Sequence, residues 1–351
     1  MQKRYLDAIR QSAERPLRLM EVCGGQTNAL FRYGIEDVLP ANVTMIHGPG
    51  CPVCVTSEEV VGVAVELALR PEVVFCTFGD MARVPAAGGS LLQARARGAD
   101  LRILYSPLDA ISVAREHPDK EVVFFAIGFE TTAPLYAVLL EQTVARGIGN
   151  LSLLTALFTM PAVLHMLLSE PDAHIDGLLA PGHVCAVQGV SEYVDLAGRF
   201  GLPVVITGFQ PLDIVSGIYY VLEAIRRRES GVYNAYGAVV MPDGNRAARQ
   251  RVSDFFEPAD AMWRGLGAIA GSGLRLKRRY EQYDALHRFN IKVEHGLQPY
   301  ARCPAGEIMK GRLRPEDCIR FGRECTPEHA QGAPMVSSEG VCAACYRSRK
   351  S

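Results

Sequence analysis

No stretch of the sequence strings together the roughly 18 apolar residues that a membrane-crossing helix needs. The opening segment, MQKRYLDAIRQSAERPLRLM, is charged throughout, where a secretory signal would carry an apolar stretch of roughly 7 to 15 residues. A cytoplasmic protein is expected. Neither sign of charge is in excess: 37 Lys and Arg against 38 Asp and Glu leave a formal net charge of -1, which excludes bulk electrostatic attraction to nucleic acid or acidic membranes. The phosphate-cradling loops G-x-G-x-x-G and G-x-x-x-x-G-K-[ST] are both missing, and so is the C-x-x-x-C-x-x-C run used in radical chemistry with S-adenosylmethionine.

What is present in unusual number is cysteine. A chain of 351 residues can bury its cores without disulfide staples, so folding alone does not account for ten cysteines, at 23, 51, 54, 76, 185, 303, 318, 325, 342 and 345. In a reducing compartment they point to metal binding or thiol chemistry.

Short β-branched runs end in glycine turns at VTMIHGPG (43–50), EVVFCTFGDM (72–81), EVVFFAIGFETTAP (121–134), GLLAPGHV (177–184) and PVVITGFQP (203–211). Between them, SEEVVGVAVELAL, APLYAVLLEQTVA and PLDIVSGIYYVLEAI carry helical spacing. This alternation predicts an α/β architecture. Residues 73–85 laid on 122–134 share the opening Val-Val-Phe, the middle Gly and the closing Pro, which suggests two similar parallel-sheet α/β domains. We expect one over 1–115 and the other over 116–245. A small cysteine-rich unit follows over 246–351, with the N-terminal helix packed on it.

Ligands bind outside the carboxyl ends of strands in open α/β sheets. Those ends carry His47, Cys51 and Cys54, then Asp80, then Glu130, Thr131 and Thr132, then His183, then Gln210 and Asp213. A crevice lined by thiols, acids and imidazole follows, with Thr131, Thr132 and Asp213 better suited to capping helices. In GPGCPVC, Cys51 and Cys54 are spaced for a redox disulfide, a soft-metal pair or plain packing. The flanking Gly and Pro residues predict an exposed loop that opens no helix. Cys23, in MEVCGGQTNAL, precedes a helix opened by Thr27 or Asn28, where a thiol pKa would be depressed. Cys76 and Cys185 read as buried bystanders. In the tail, Cys303, Cys318, Cys325 and Cys342 are separated by 14, 6 and 16 residues, and Cys345 closes a C-x-x-C. Widely spread thiolates favour an iron–sulfur cluster, while zinc and unmetallated thiols stay open.

Taken in order, MEVCGGQTNALFRYGIEDVLP, IHGPGCPVCV, TFGDMARVP, YSPLDA, GFETTAP, APGHV, TGFQPLDI and CTPEH...MVSSEGVCAACY closely resemble the HypD family of hydrogenase maturation proteins, over residues 20 to 346. The resemblance implies a scaffold on which the Fe(CN)2CO group of [NiFe]-hydrogenases is assembled with the small chaperone HypC. Cyanide would come from HypE, itself supplied by HypF, and the hydrogenase large-subunit precursor would be served indirectly. It further implies two related α/β domains plus a [4Fe-4S] cluster on Cys303, Cys318, Cys325 and Cys342, with Cys345 outside the pattern. The family's essential thiols carry over to Cys23, Cys51 and Cys54. Cys23 would hold the iron that carries CN and CO, with Cys51 or Cys54 as further ligands or as a redox dithiol. His47, Asp80, Glu130 and His183 would orient ligands or move protons. The family's histidines shortly after the first cysteine are replaced here by Gln26 and Asn28, which hydrogen-bond but do not titrate. A stand-alone, cluster-dependent thiol–disulfide oxidoreductase explains the same cysteines.

Overall fold

The computed structural model describes residues 2–293 and 303–349. The apolar runs become strands: β1 (Leu17–Glu21), β2 (Val43–His47), β3 (Val73–Thr77), β4 (Asp100–Ile103), β5 (Glu121–Gly128), β6 (Leu151–Phe158), β7 (Gly177–Pro181), β8 (Pro203–Thr207), β9 (Gly231–Asn234), β10 (Phe256–Trp263) and β11 (Gly267–Leu276). Every residue of β3, β7 and β8 is buried. Such unbroken burial belongs to parallel strands covered on both faces.

Two sheets result. One is parallel throughout, in the order β2-β1-β7-β8-β9. The other runs β10-β11-β6-β5-β3-β4, parallel from β4 to β6 and finished by the antiparallel β10–β11 hairpin. An α/β fold with two parallel-dominated sheets and a small cysteine-rich region is therefore present, as expected.

The sheets do not follow the expected boundaries at 115 and 245. The chain leaves the first sheet after β2, builds β3 to β6 of the second, returns to complete the first with β7 to β9, and finally adds the hairpin to the second. Each sheet thus draws strands from both sides of residue 115. Residues 256–276 extend the second sheet instead of opening a separate unit, and of the expected tail unit 294–302 lie outside the described residues. The internal echo also has a local meaning: 73–85 and 122–134 begin in neighbouring strands of one sheet, with Val74 opposite Val122.

Helices form where the spacing asked for them. Ser57 caps Glu58–Ala68 by accepting from the Val60 N–H, and Asp213 accepts from the Gln210 N–H in a capping box that opens Pro211–Arg227. The N-terminal helix Gln2–Ser12 packs on Pro211–Arg227, with Tyr5 against Tyr219 and Ile9 in the core of the first sheet, away from the cysteine-rich tail. In the second sheet, Phe124 is fully buried between the rings of Phe78 and Tyr136, and the Tyr136 hydroxyl donates to the Ile127 carbonyl at 2.7 Å. Urea unfolding should therefore show Phe124→Ala losing about 3–5 kcal/mol, mostly as a cavity cost. Tyr136→Phe should lose only about 1 kcal/mol, the net worth of one hydrogen bond.

Candidate functional site

The site begins with a carboxylate. β1 and β2 run side by side and end together, which sets Glu21 opposite His47. Glu21 is fully buried and uses both oxygens: Oε2 accepts from the Cys23 N–H at 2.8 Å, and Oε1 accepts from the Thr27 hydroxyl and meets His47 Nδ1 at 2.8 Å. His47 Nε2 lies 2.9 Å from Glu36, an ion-pair distance without hydrogen-bond alignment, and Phe31 covers the ring. Burial opposes charge on this imidazole, but Glu21 and Glu36 outweigh it and raise the His47 pKa to about 10. Sequence reasoning passed over Glu21. Its signal was a carboxylate set between apolar Leu19, Met20 and Val22 just before Cys23.

Cys23 itself occupies the N-cap of Gly24–Arg32, so the helix starts before Thr27 and Asn28, and Thr27 serves Glu21 instead of the cap. The expected depressed thiol pKa is reversed. Burial pushes it up to about 12 and the Glu21 charge adds to this, against weaker help from the Gln26 and Gly25 N–H groups. The thiol keeps its proton near neutral pH unless a soft cation takes the proton's place.

The GPGCPVC loop is clamped to the same spot. Gly48 N–H donates to the Glu21 carbonyl at 2.8 Å, and Gly24 N–H donates to the Gly50 carbonyl at 2.9 Å. A Cβ on Gly50 would stand 2.3 Å from the Cys23 nitrogen, so only glycine allows this approach. Cys51 and Cys54 are joined as a disulfide. Contrary to expectation the pair is buried, at 4% and 3% exposure, and it does open a one-turn helix, Pro52–Val55, with the Cys51 sulfur accepting from the Cys54 N–H at 3.2 Å. Close backbone apposition against Cys23 removes the exposure that Gly and Pro alone would give.

The remaining candidates divide. His183 is exposed and stacks on Phe209 at 4.1 Å, and Phe209 fills the space beside Gly25, so this pair stands near Cys23. Glu130 is buried, with Oε1 accepting from the Met160 N–H at 2.7 Å and Oε2 lacking a protein partner; burial raises its pKa to about 7. Glu130 and Cys23 both stand in electrostatic reach of Cys185 and Tyr193, so the carboxyl ends of the two sheets lie close to each other. Asp80 is turned elsewhere: it accepts from Ser337 at 2.9 Å and pairs with Arg83, which holds the Val336 carbonyl, so it ties the tail to the second sheet. Gln26 donates to the Ala180 carbonyl at 3.1 Å and the Thr207 hydroxyl at 3.2 Å, and Asn28 donates to the Ser338 carbonyl at 2.9 Å. Gln26 and Asn28 therefore tie elements together. Cys76 and Cys185 are fully buried, as expected.

Among the described residues, no three His, Cys, Asp or Glu side chains converge on a single-ion position. The tail thiols instead stand within electrostatic reach of one another. Burial pushes Cys303 up to about 11, with the charges of Cys325 and Cys318 adding to it, and Cys342 is raised first by burial and then by the other three. Gln331 N–H donates to the Cys325 sulfur at 3.4 Å, and a Cβ on Gly332 would stand 2.3 Å from the Cys303 sulfur. Three desolvated thiols, with Cys318 in electrostatic reach of them and N–H donors turned to sulfur, suit a cluster that takes one thiolate at each corner. Burial pushes Cys345 up to about 12 and Glu316 adds to it, and Cys345 in turn stands in electrostatic reach of Cys342.

Comparison with known proteins gives the family. A sequence profile of HypD, described as the hydrogenase formation hypA family, matches residues 1–349. The chain belongs to the HypD family. It is 48% identical over 341 residues to the hydrogenase maturation factor HypD of Escherichia coli K12, covering 97% of this chain and 91% of that protein. With HypD2 of Bradyrhizobium diazoefficiens the identity is 46% over 347 residues, covering 96% and 91%. With HypD of Rhodobacter capsulatus it is 42% over 348 residues, covering 98% and 92%.

In this HypD family member the raised His47 pKa has a testable sign. A folded pKa of about 10 against an ordinary 6.5 stabilises the fold fully below pH 6.5, and that contribution disappears as pH rises through about 10. The stability gap between the wild type and His47→Asn, followed by urea unfolding, should shrink steadily from pH 6.5 to pH 10.

Proposed function

We propose that this chain acts in hydrogenase maturation as the scaffold on which, together with HypC, the Fe(CN)2CO group of [NiFe]-hydrogenases is assembled. The observation that carries this reading is the clamp between Cys23 and the Cys51–Cys54 loop, closed by Gly50 against the Cys23 backbone and anchored on Glu21. It holds a lone thiol and a disulfide in one sheltered place. Cys23, with a cysteine of HypC, holds the incoming iron as substrate: low-spin iron carrying CN and CO calls for soft, strong donors, and a thiol with a raised pKa becomes such a donor when the metal replaces its proton. HypE delivers cyanide after being charged by HypF.

Cys51 and Cys54 serve as the redox pair beside the iron, the disulfide taking two electrons and two protons to become a dithiol. Cys303, Cys318, Cys325 and Cys342 would hold the [4Fe-4S] cluster, whose contribution when bound is one-electron transfer. The helix Pro52–Val55 packs on the turn Ala333–Met335, and Gly332, which leads into that turn, abuts the Cys303 sulfur. Dithiol and cluster ligands thus share one wall. Glu130, with a pKa near 7 and a free oxygen deep in the cleft, is suited to hold a proton for this chemistry, and His183 at the mouth is suited to meet an incoming ligand.

The stand-alone oxidoreductase reading is the weaker one. A protein substrate would have to bring a thiol in line with a disulfide that is almost wholly buried. Infrared spectra of the protein purified without oxygen from cells that also express HypC, HypE and HypF decide between the two. Bands of iron-bound CN and CO, lost in Cys23→Ala, are expected; a cluster-loaded sample without them overturns the scaffold reading. Cys51→Ala and Cys54→Ala should each abolish hydrogenase maturation while leaving the fold intact.

A further inference from the structure

One strongly buried cation has no part in the clamp. Arg264 sits in the turn between β10 and β11, with its side chain only 8% exposed. Its N–H donates to the Val55 carbonyl at 2.8 Å, its Nε donates to the Thr56 carbonyl at 2.8 Å, and its Nη1 pairs with Glu58 at 3.0 Å. It therefore closes the C-terminal end of the one-turn helix that Cys51 opens. Nη2 is buried and has no protein partner. The next residue, Gly265, has φ +74 and lies directly against Gly306: a Cβ on Gly306 would stand 2.1 Å from the Gly265 carbonyl oxygen, and one on Gly265 would stand 2.8 Å from the Gly306 nitrogen. Gly306 belongs to the helix Ala305–Met309 that follows Cys303. One hairpin turn thus touches the dithiol helix on one side and the first cluster-ligand segment on the other.

A guanidinium in such a place does not lose its charge at any ordinary pH. Water screens it little, and Glu58, itself partly exposed, neutralises it incompletely. Arg264 and the Cys303 sulfur stand in electrostatic reach of each other. We propose that Arg264 is a positioning residue for electron transfer: fixed at the end of the dithiol helix, its charge stabilises the reduced state of the cluster at Cys303 and so sets the cluster's reduction potential. The inference rests on the cluster reading above. The step is one electron taken by the oxidised cluster from a low-potential one-electron donor, with no bond formed or broken and no proton moved by Arg264.

The test uses the full chain, reconstituted with iron and sulfide, with iron content measured first and the cluster then titrated with dithionite and followed by electron paramagnetic resonance. Arg264→Met should bind iron as the wild type does, yet show at least a tenfold lower ratio of reduced to oxidised cluster at a fixed potential, a downward shift of 59 mV for a one-electron couple. Arg264→Lys should recover most of that loss. Glu58→Gln, which removes the carboxylate paired with Arg264 and leaves only the weaker influence of Glu59, should shift the ratio the opposite way, and it decides the matter should Arg264→Met fail to fold. An unchanged potential in loaded Arg264→Met, an equal loss in Arg264→Lys, or no upward shift in Glu58→Gln overturns the proposal. A wild type that binds no cluster overturns the cluster reading as well, and iron content separates that failure from an unshifted potential.

Discussion

The arrangement depends on the buried carboxylate of Glu21. A charge with no exposure is costly unless several donors meet it, and here the donors are the parts of the site: the Cys23 N–H, the Thr27 hydroxyl and the His47 imidazole. The Cys23 turn, the start of its helix and the end of β2 are thereby pinned to one point. The Gly48–Cys54 loop then follows, because it leaves β2 directly after His47 and returns a hydrogen bond to the Glu21 carbonyl. Breaking the hub would leave an unpaired charge in the core, so loss of the site and loss of local stability are coupled.

The same desolvation governs the thiols. A helix N-terminus ordinarily lowers a thiol pKa, yet at Cys23 burial and the neighbouring carboxylate win by a wide margin. Cys303, Cys325 and Cys342 are raised by the same cause, and each charge in the group adds to it. Free thiolates are therefore suppressed at Cys23, Cys303, Cys325 and Cys342. A metal must displace protons to bind, which gives selectivity for soft, strongly held ions over adventitious hard ones.

Much of this was legible before the fold was known. Apolar runs ending in glycine turns marked the parallel strands, and the carboxyl-end rule gathered His47, Cys51, Cys54, Glu130 and His183 on one side. What the sequence could not display is strand adjacency. Nothing in VVFCT or GLLAP says which sheet it joins, so the interleaving of the two sheets stayed hidden, as did the burial of Cys51 and Cys54 against Cys23. Glu21 and Arg264 were missed for a related reason. Each is an ordinary charged residue in sequence, and its weight comes from partners far along the chain: Glu58 and the Cys303 segment for Arg264, the Gly48–Cys54 loop for Glu21.

Interleaving also explains why so distant a set of residues can act together. The first sheet supplies Cys23, the link between the sheets supplies Cys51 and Cys54, the second sheet supplies Glu130 and the hairpin that carries Arg264, and the tail supplies Cys303, Cys318, Cys325 and Cys342. Because the chain crosses from one sheet to the other three times, the carboxyl ends of both are tied by covalent connections as well as by packing. Any hinge motion between the sheets would turn about those three crossings. Under the proposed function a partner would meet the exposed His183 at the edge of the site. Within it, the short path from dithiol helix to Gly332 and Cys303 can stay fixed while cargo comes and goes.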